Sequence, residues 1–171
     1  PYLTFRGPDG TIQIIKRGRA KARRLIQTSG LTEENHMSTR LFSFVGGDTG
    51  AWRVVKTEVI VGQALPAAKR LAIVAGSEIP SEPRAAWVLR GITSNERYVD
   101  REERRQIVAK VLDLGRPEAT CAALIPIRKN EAWWALTQEE RLGIFKEQSH
   151  HTRIGLEHFP TLARRLHHCR D

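Results

Sequence analysis

The chain has 171 residues, 40% hydrophobic and 27% charged, with a net charge of +9. That composition suits one ordinary globular domain or two small ones and argues against a wholly disordered chain. No apolar run approaches the ~18 residues of a membrane helix, and the opening PYLTFRGPDG lacks a secretory pattern, so a cytoplasmic location is the default reading.

In chain order, residues 1–36 stand apart. They carry seven Lys/Arg against three Asp/Glu, with little hydrophobic periodicity, and read as a basic extension that is disordered or upstream read-through. Met37 is the only methionine and a candidate natural start. Glu33-Glu34 can be encoded GAG-GAG, which resembles a bacterial ribosome-binding sequence. Arg40–Val45 reads as a strand, GGDTG (Gly46–Gly50) as a turn, and Ala51–Val61 as a strand rich in β-branched residues. Pro66–Gly76 is a short apolar element of no assigned type, Ser77–Pro83 a loop with two prolines, and Ala86–Thr93 a strand.

The best-marked element is a helix. Asp100 is its N-cap, with Glu103 three residues on, and Ile107, Val108, Val111 and Leu112 recur at helical spacing before Gly115 and Pro117 stop it. Ala119–Ile127 reads as a strand. Thr137 and Glu140 cap a second helix striped by Leu142 and Phe145, and the pattern from Thr161 is again strand-like. The sum is an α+β, ferredoxin-like layout: a mostly antiparallel sheet with helices on one face.

The chemistry-bearing residues crowd the end, QSHHTRIGLEHFPTLARRLHHCRD, which holds five of the six histidines. Cys121 and Cys169 form no framework and read as free thiols. There is no HExxH and no CxxC, and adjacent His150 and His151 would point about 100° apart on a helix, so a zinc site is a poor reading. A single imidazole with an isolated guanidinium suits haem iron better. His151 and Arg164, thirteen residues apart, are candidates for the two sides of such a cofactor. The positive charge also admits a nucleic-acid partner. Outside residues 1–36, however, the basic residues are interleaved with acidic ones, as on solvated helix faces, which makes nucleic acid the lesser reading.

Three blocks, AWVLRGITSNERYV (Ala86–Val99), ALIPIRKNEAWWALTQEER (Ala123–Arg141) and SHHTRIGLEHFPTLARRLHHCRD (Ser149–Asp171), together with FVGGDTGAWRV, resemble the chlorite dismutase family of haem b proteins, in its short, cytoplasmic, dimeric branch. The resemblance runs from Met37 to Asp171. It implies the dimeric α+β barrel superfamily, with an N-terminal ferredoxin-like half at 37–130 and the start of a haem-binding half at 131–171, expected to be incomplete at the C-terminus. It implies His151 as the proximal haem ligand and Arg164 as the catalytic distal cation. His150 competes as ligand, but the residue thirteen beyond it is Ala163. Asn95 and Tyr98 match positions that contact the haem propionates, and Trp133 and Trp134 match the pair near the haem edge. The implied reaction converts chlorite to chloride and dioxygen. The alternatives on the same fold are coproheme decarboxylation, peroxide use, or an inactive truncated copy; Arg164 leans toward chlorite. A homodimer is expected of the full-length protein.

Overall fold

A computed structural model describes residues 40–77, 84–94, 97–112, 114, 116–159 and 161–169, together with the backbone of 11–17. The chain divides into two compact units that interleave along the sequence. One comprises Pro1–Thr93, Thr120–Pro126 and His168–Asp171; the other comprises Ser94–Ala119 and Ile127–His167.

The first unit is an antiparallel sheet. Its strands are β1 (Thr11–Arg17), β2 (Leu41–Gly47), β3 (Trp52–Val59), β4 (Arg70–Ala75), β5 (Ala85–Thr93) and β6 (Cys121–Leu124); with the two-residue β7 (His167–His168), at the division between the units, the strand order is β6-β1-β3-β4-β2-β5-β7. The register explains the core. Phe44 lies opposite Ile73 and Leu89, and Gly46 opposite Leu71 and Trp87, so alternation along each strand gathers one apolar face. Leu71 and Trp87 are buried there, with Phe44, Trp52, Val54, Leu65, Leu89, Ala122 and Leu124 packed around them. The Trp87 indole nitrogen is not left orphaned: it donates to the Pro66 carbonyl at 3.1 Å.

The strands differ from the sequence expectation in instructive places. Gly46 and Gly47, expected in a turn, end β2 instead. A Cβ on Gly46 would fall inside the Trp87 ring, so this glycine serves close packing and not chain reversal. The reversal follows at Gly50, with φ of 125°. The untyped segment Pro66–Gly76 contains β4, and the strand expected at Ala119–Ile127 shrinks to β6. Thr11–Arg17, within the stretch expected to be disordered or read-through, forms β1 between β6 and β3. The remainder of residues 1–36 lies outside the described residues.

The second unit is helical: α1 (Arg101–Lys110), α2 (Glu131–Ala135), α3 (Gln138–Gly143), a π-helical turn at Ile144–Gln148, and α4 (His151–His158). The capping box at α1 is present as expected, with Asp100 accepting from Glu103 N at 2.8 Å and Asp100 N donating back to the Glu103 carboxylate at 3.0 Å. The helix stops at Lys110, two residues short of the periodicity read to Leu112, and Val111 is its extended C-cap. Ile107, Leu156 and Phe159 form the buried core, with Val99 against it. Lys146 in the π turn reaches Asp100 at 2.6 Å, tying that turn to the start of α1. Beyond α4, the strand-like pattern from Thr161 is mostly irregular; only His167–His168 is extended in a ladder.

Candidate functional site

The second unit gathers an aromatic cluster from four separate segments. Tyr98, just before α1, stacks on Phe145 of the π turn with ring centroids 4.9 Å apart. Trp133 of α2 meets both edge-on, at 5.8 Å from Tyr98 and 5.7 Å from Phe145. The ring of His151, first residue of α4, stands 5.5 Å from Phe145. Offset and edge-to-face contacts of this kind are the favourable ones for aromatic rings. A local device holds Trp133. Asn130 caps α2 by accepting from Trp133 N at 2.9 Å, which fixes the backbone beneath that indole.

Phe145 and His151 are six residues apart and would lie about 120° apart around an uninterrupted α-helix. The π turn and the break after it remove that separation. Ser149 N bonds the Ile144 carbonyl at 2.9 Å, and Ser149 Oγ adds bonds to the carbonyls of Ile144 (2.9 Å) and Phe145 (3.4 Å). His150 then adopts a left-handed conformation with φ of 50°. Its Nδ1 lies 2.9 Å from the Lys146 carbonyl, and its side chain is exposed. The two neighbouring histidines thus have opposite environments: His150 faces solvent and His151 is half-buried beside Phe145.

Two cations act on His151. Burial lowers its pKa below the ordinary imidazole value, and the charges of Arg164 and Lys129 lower it further. Each of these effects disfavours the imidazolium, so the ring is held neutral. Lys129 is itself half-buried and its pKa is lowered by desolvation. Its ammonium sits over the Trp133 ring, 4.2 Å from the centroid, and 5.9 Å from that of Phe145. Arg164 is lowered by burial as well, and its guanidinium lies 5.4 Å from the centroid of buried Phe159. Among the described residues no three His, Cys, Asp or Glu side chains gather as a metal site.

No protein-family model matches the chain, and no curated protein matches it. Among solved structures it is similar to a dimeric chlorite dismutase from Nitrobacter winogradskyi. The match has 45% sequence identity and a TM-score of 0.66, and covers 75% of this chain and 71% of that chain. The chain belongs to the chlorite dismutase family. Its antiparallel sheet and helices are the ferredoxin-like α+β fold of that chlorite dismutase.

Within this chlorite dismutase family chain, the structure brings together His151, Tyr98 and Trp133, and sets Arg164 close enough to act on His151 electrostatically. Trp134 follows Trp133 on α2 and carries the Arg141 guanidinium 5.4 Å from its ring centroid. Asn95 lies outside the described residues. Sequence reasoning missed three participants: Lys129, Phe145 as a member of the cluster, and Arg141. Lys129 stands four residues before Trp133 in IRKNEAWW, a spacing that could have flagged a cation beside the indole. In the sequence Phe145 fits an ordinary helix stripe, and nothing in its spacing announces a π turn.

Proposed function

We propose that the chain is a haem b oxidoreductase that decomposes chlorite to chloride and dioxygen, with His151 as the iron ligand and Arg164 as the catalytic cation. The observation that carries this reading is the state of His151: a half-buried imidazole, held neutral by burial and by two cations, against an aromatic wall. A neutral ring nitrogen is the form that binds iron. The surroundings fit haem on further grounds. One imidazole beside aromatic faces suits a planar group that brings its own ring of donors. The Trp133 indole nitrogen is buried with no hydrogen-bond partner among the described residues, a donor that an acidic group on a cofactor edge would satisfy. Tyr98 and Asn95 are assigned to the cofactor's propionates, and Trp133 and Trp134 to its edge.

Haem, held by His151 and packed against the tryptophan pair, would supply the redox chemistry of an iron centre. The chain's own residues do the rest. Arg164 and Lys129 place two positive charges near the imidazole, in partly desolvated surroundings where charge acts strongly on an anion. Arg164 remains charged, takes no part as a base, and holds the anionic chlorine species in place until chloride and dioxygen leave. The balance closes without any co-reactant: one chlorite gives one chloride and one dioxygen. Val88 and Ile92, on one face of β5, are exposed apolar residues of the sheet, surface that a second copy would cover in a homodimer.

The test is a haem b titration followed by absorption. A saturating Soret band is expected, lost in His151→Ala. Arg164→Ala should keep the band while chlorite-driven oxygen release falls by about 10²–10³. Oxygen release unaffected in Arg164→Ala would reject its catalytic role.

A further inference from the structure

We propose that Arg141 is the positioning residue of the tryptophan pair, fixing Trp133 and Trp134 for a cofactor to pack against; the cofactor half of this statement rests on the function proposed above. The pair sits on α2, a helix of five residues, too short to hold itself together in water. Its terminal carbonyls have no helical partners of the usual kind. Arg141, from α3, supplies them. Its Nε donates to the Trp133 carbonyl at 3.0 Å and its Nη2 to the Trp134 carbonyl at 2.7 Å. The same guanidinium packs over the Trp134 ring, 5.4 Å from its centroid. One planar fork thereby grips two successive carbonyls and one of the two rings. An ammonium has no such fixed geometry and serves these acceptors poorly.

The consequence reaches the rest of the cluster. The Trp133 backbone is held from one side by the Asn130 cap and from the other by Arg141. Its ring is thereby fixed against Tyr98 and Phe145, and Phe145 in turn abuts His151. Without Arg141, α2 keeps its N-terminal cap and the weaker Leu136 N to Trp133 carbonyl contact of 3.3 Å, but the last turn loses its strongest restraint. Arg141 meets Trp133 and Trp134 and is not placed among the groups that act on His151, so it works through the tryptophans.

The experiment uses the full chain with Arg141→Lys, Arg141→Ala, and Arg105→Ala on the exposed face of α1 as control. In the protein without haem, tryptophan emission and acrylamide quenching are compared with the wild type. Repeating each on a Trp133→Phe background assigns the signal, since Trp52 and Trp87 belong to the sheet. Red-shifted, more quenchable Trp133 emission is expected in both Arg141 variants and not in Arg105→Ala. Haem b titration should show affinity about tenfold weaker in Arg141→Lys, in line with losing one charge-assisted hydrogen bond. Millimolar guanidinium should restore part of the affinity of Arg141→Ala, which a general loss of folding would not allow. In the loaded protein, kcat for oxygen release should fall while KM for chlorite holds. An Arg141→Lys protein that matches the wild type in emission, quenching and haem affinity overturns the inference. If Arg141→Ala does not fold, Arg141→Lys decides. If the wild type gives no specific Soret band, the haem reading fails, and the emission comparison alone decides whether Arg141 positions the pair.

Discussion

Phe159 is the side chain on which the packing of α4 and the placing of Arg164 both depend. It is 1% exposed, packs with Ile107 and Leu156, and carries the Arg164 guanidinium 5.4 Å from its ring centroid. Phe159→Ala removes most of a core whose buried members are few, and should cost about 3–5 kcal/mol. Against a total stability of order 5–15 kcal/mol, that threatens the fold itself. Phe159→Leu is the discriminating variant. It keeps an apolar side chain of similar reach, at a packing cost of about 1 kcal/mol. It removes the cation–π contact, worth about 0.5–1 kcal/mol at a partly exposed site. Urea unfolding followed by circular dichroism should show a modest drop in midpoint with unchanged slope for Leu, and a large one for Ala. Chlorite turnover should fall further in Phe159→Leu than its small stability loss explains, because Arg164 has lost the surface that orients it. A Phe159→Ala protein within about 1 kcal/mol of the wild type would refute the core argument. Undiminished turnover in Phe159→Leu would refute the ring's role in placing Arg164.

Three further outcomes are expected. The Asp100 carboxyl is held below the ordinary carboxylate value, first by the hydrogen bond from Lys146 and then by the Glu103 amide. The folded state therefore favours the carboxylate, and this stabilisation is present above the ordinary value of 3.8 and lost as pH falls through the lower folded value. Denaturant midpoints measured against pH should show a shallower acid limb in Asp100→Asn than in the wild type. Gly46→Ala forces a methyl into the Trp87 ring and should destabilise the sheet by about 1–3 kcal/mol or more, seen as a lowered melting temperature with altered tryptophan emission. Ser149→Ala removes the side-chain bonds to the Ile144 and Phe145 carbonyls, and should cost about 1 kcal/mol in urea unfolding and weaken haem binding, because both carbonyls belong to the π turn that carries Phe145.

The elements legible in the sequence were those whose signals are local. Asp100 with Glu103, and Thr137 with Glu140, are capping boxes in the structure as read, because a cap is written within four residues. The strand at Ala86–Thr93 is found at Ala85–Thr93. What was missed depends on distant partners. Gly46 looks like a turn residue until Trp87, forty-one positions away, is seen filling the space where its side chain would be. Thr11–Arg17 is flanked by arginines and reads as a basic arm, yet TIQIIKR finds ladder partners in β3 and β6. The π turn is likewise hidden, since IFKEQ would continue an α-helix in isolation; the bonds from Ser149 and the left-handed His150 decide otherwise. For the site, the residue types were read from a family resemblance, whereas Lys129, Phe145 and Arg141 emerged only from three-dimensional neighbours.

The interval of thirteen between His151 and Arg164 has a physical explanation in the second unit. The eight residues of α4 carry the chain about 12 Å from the His151 end. A chain that simply continued would take Arg164 still further away, beyond strong electrostatic reach. It does not continue. The His158 carbonyl accepts from Thr161 N at 3.0 Å, Leu162 N at 2.9 Å and Thr161 Oγ1 at 3.0 Å, ending the helix in a tight reversal. Arg164 then lies over Phe159, and its charge is felt at His151 more strongly than that of Lys129. The spacing therefore encodes a helix, a turn and a return. A change that lengthens the turn, such as a residue inserted between Leu162 and Ala163, should leave the α4 core of Leu156 and Phe159 packed while moving Arg164 off that ring. Its signature would be normal unfolding stability with an imidazole titration at His151, followed by NMR in the protein without haem, shifted upward toward the ordinary value. An unshifted titration would mean that Arg164's position is set by contacts beyond the turn.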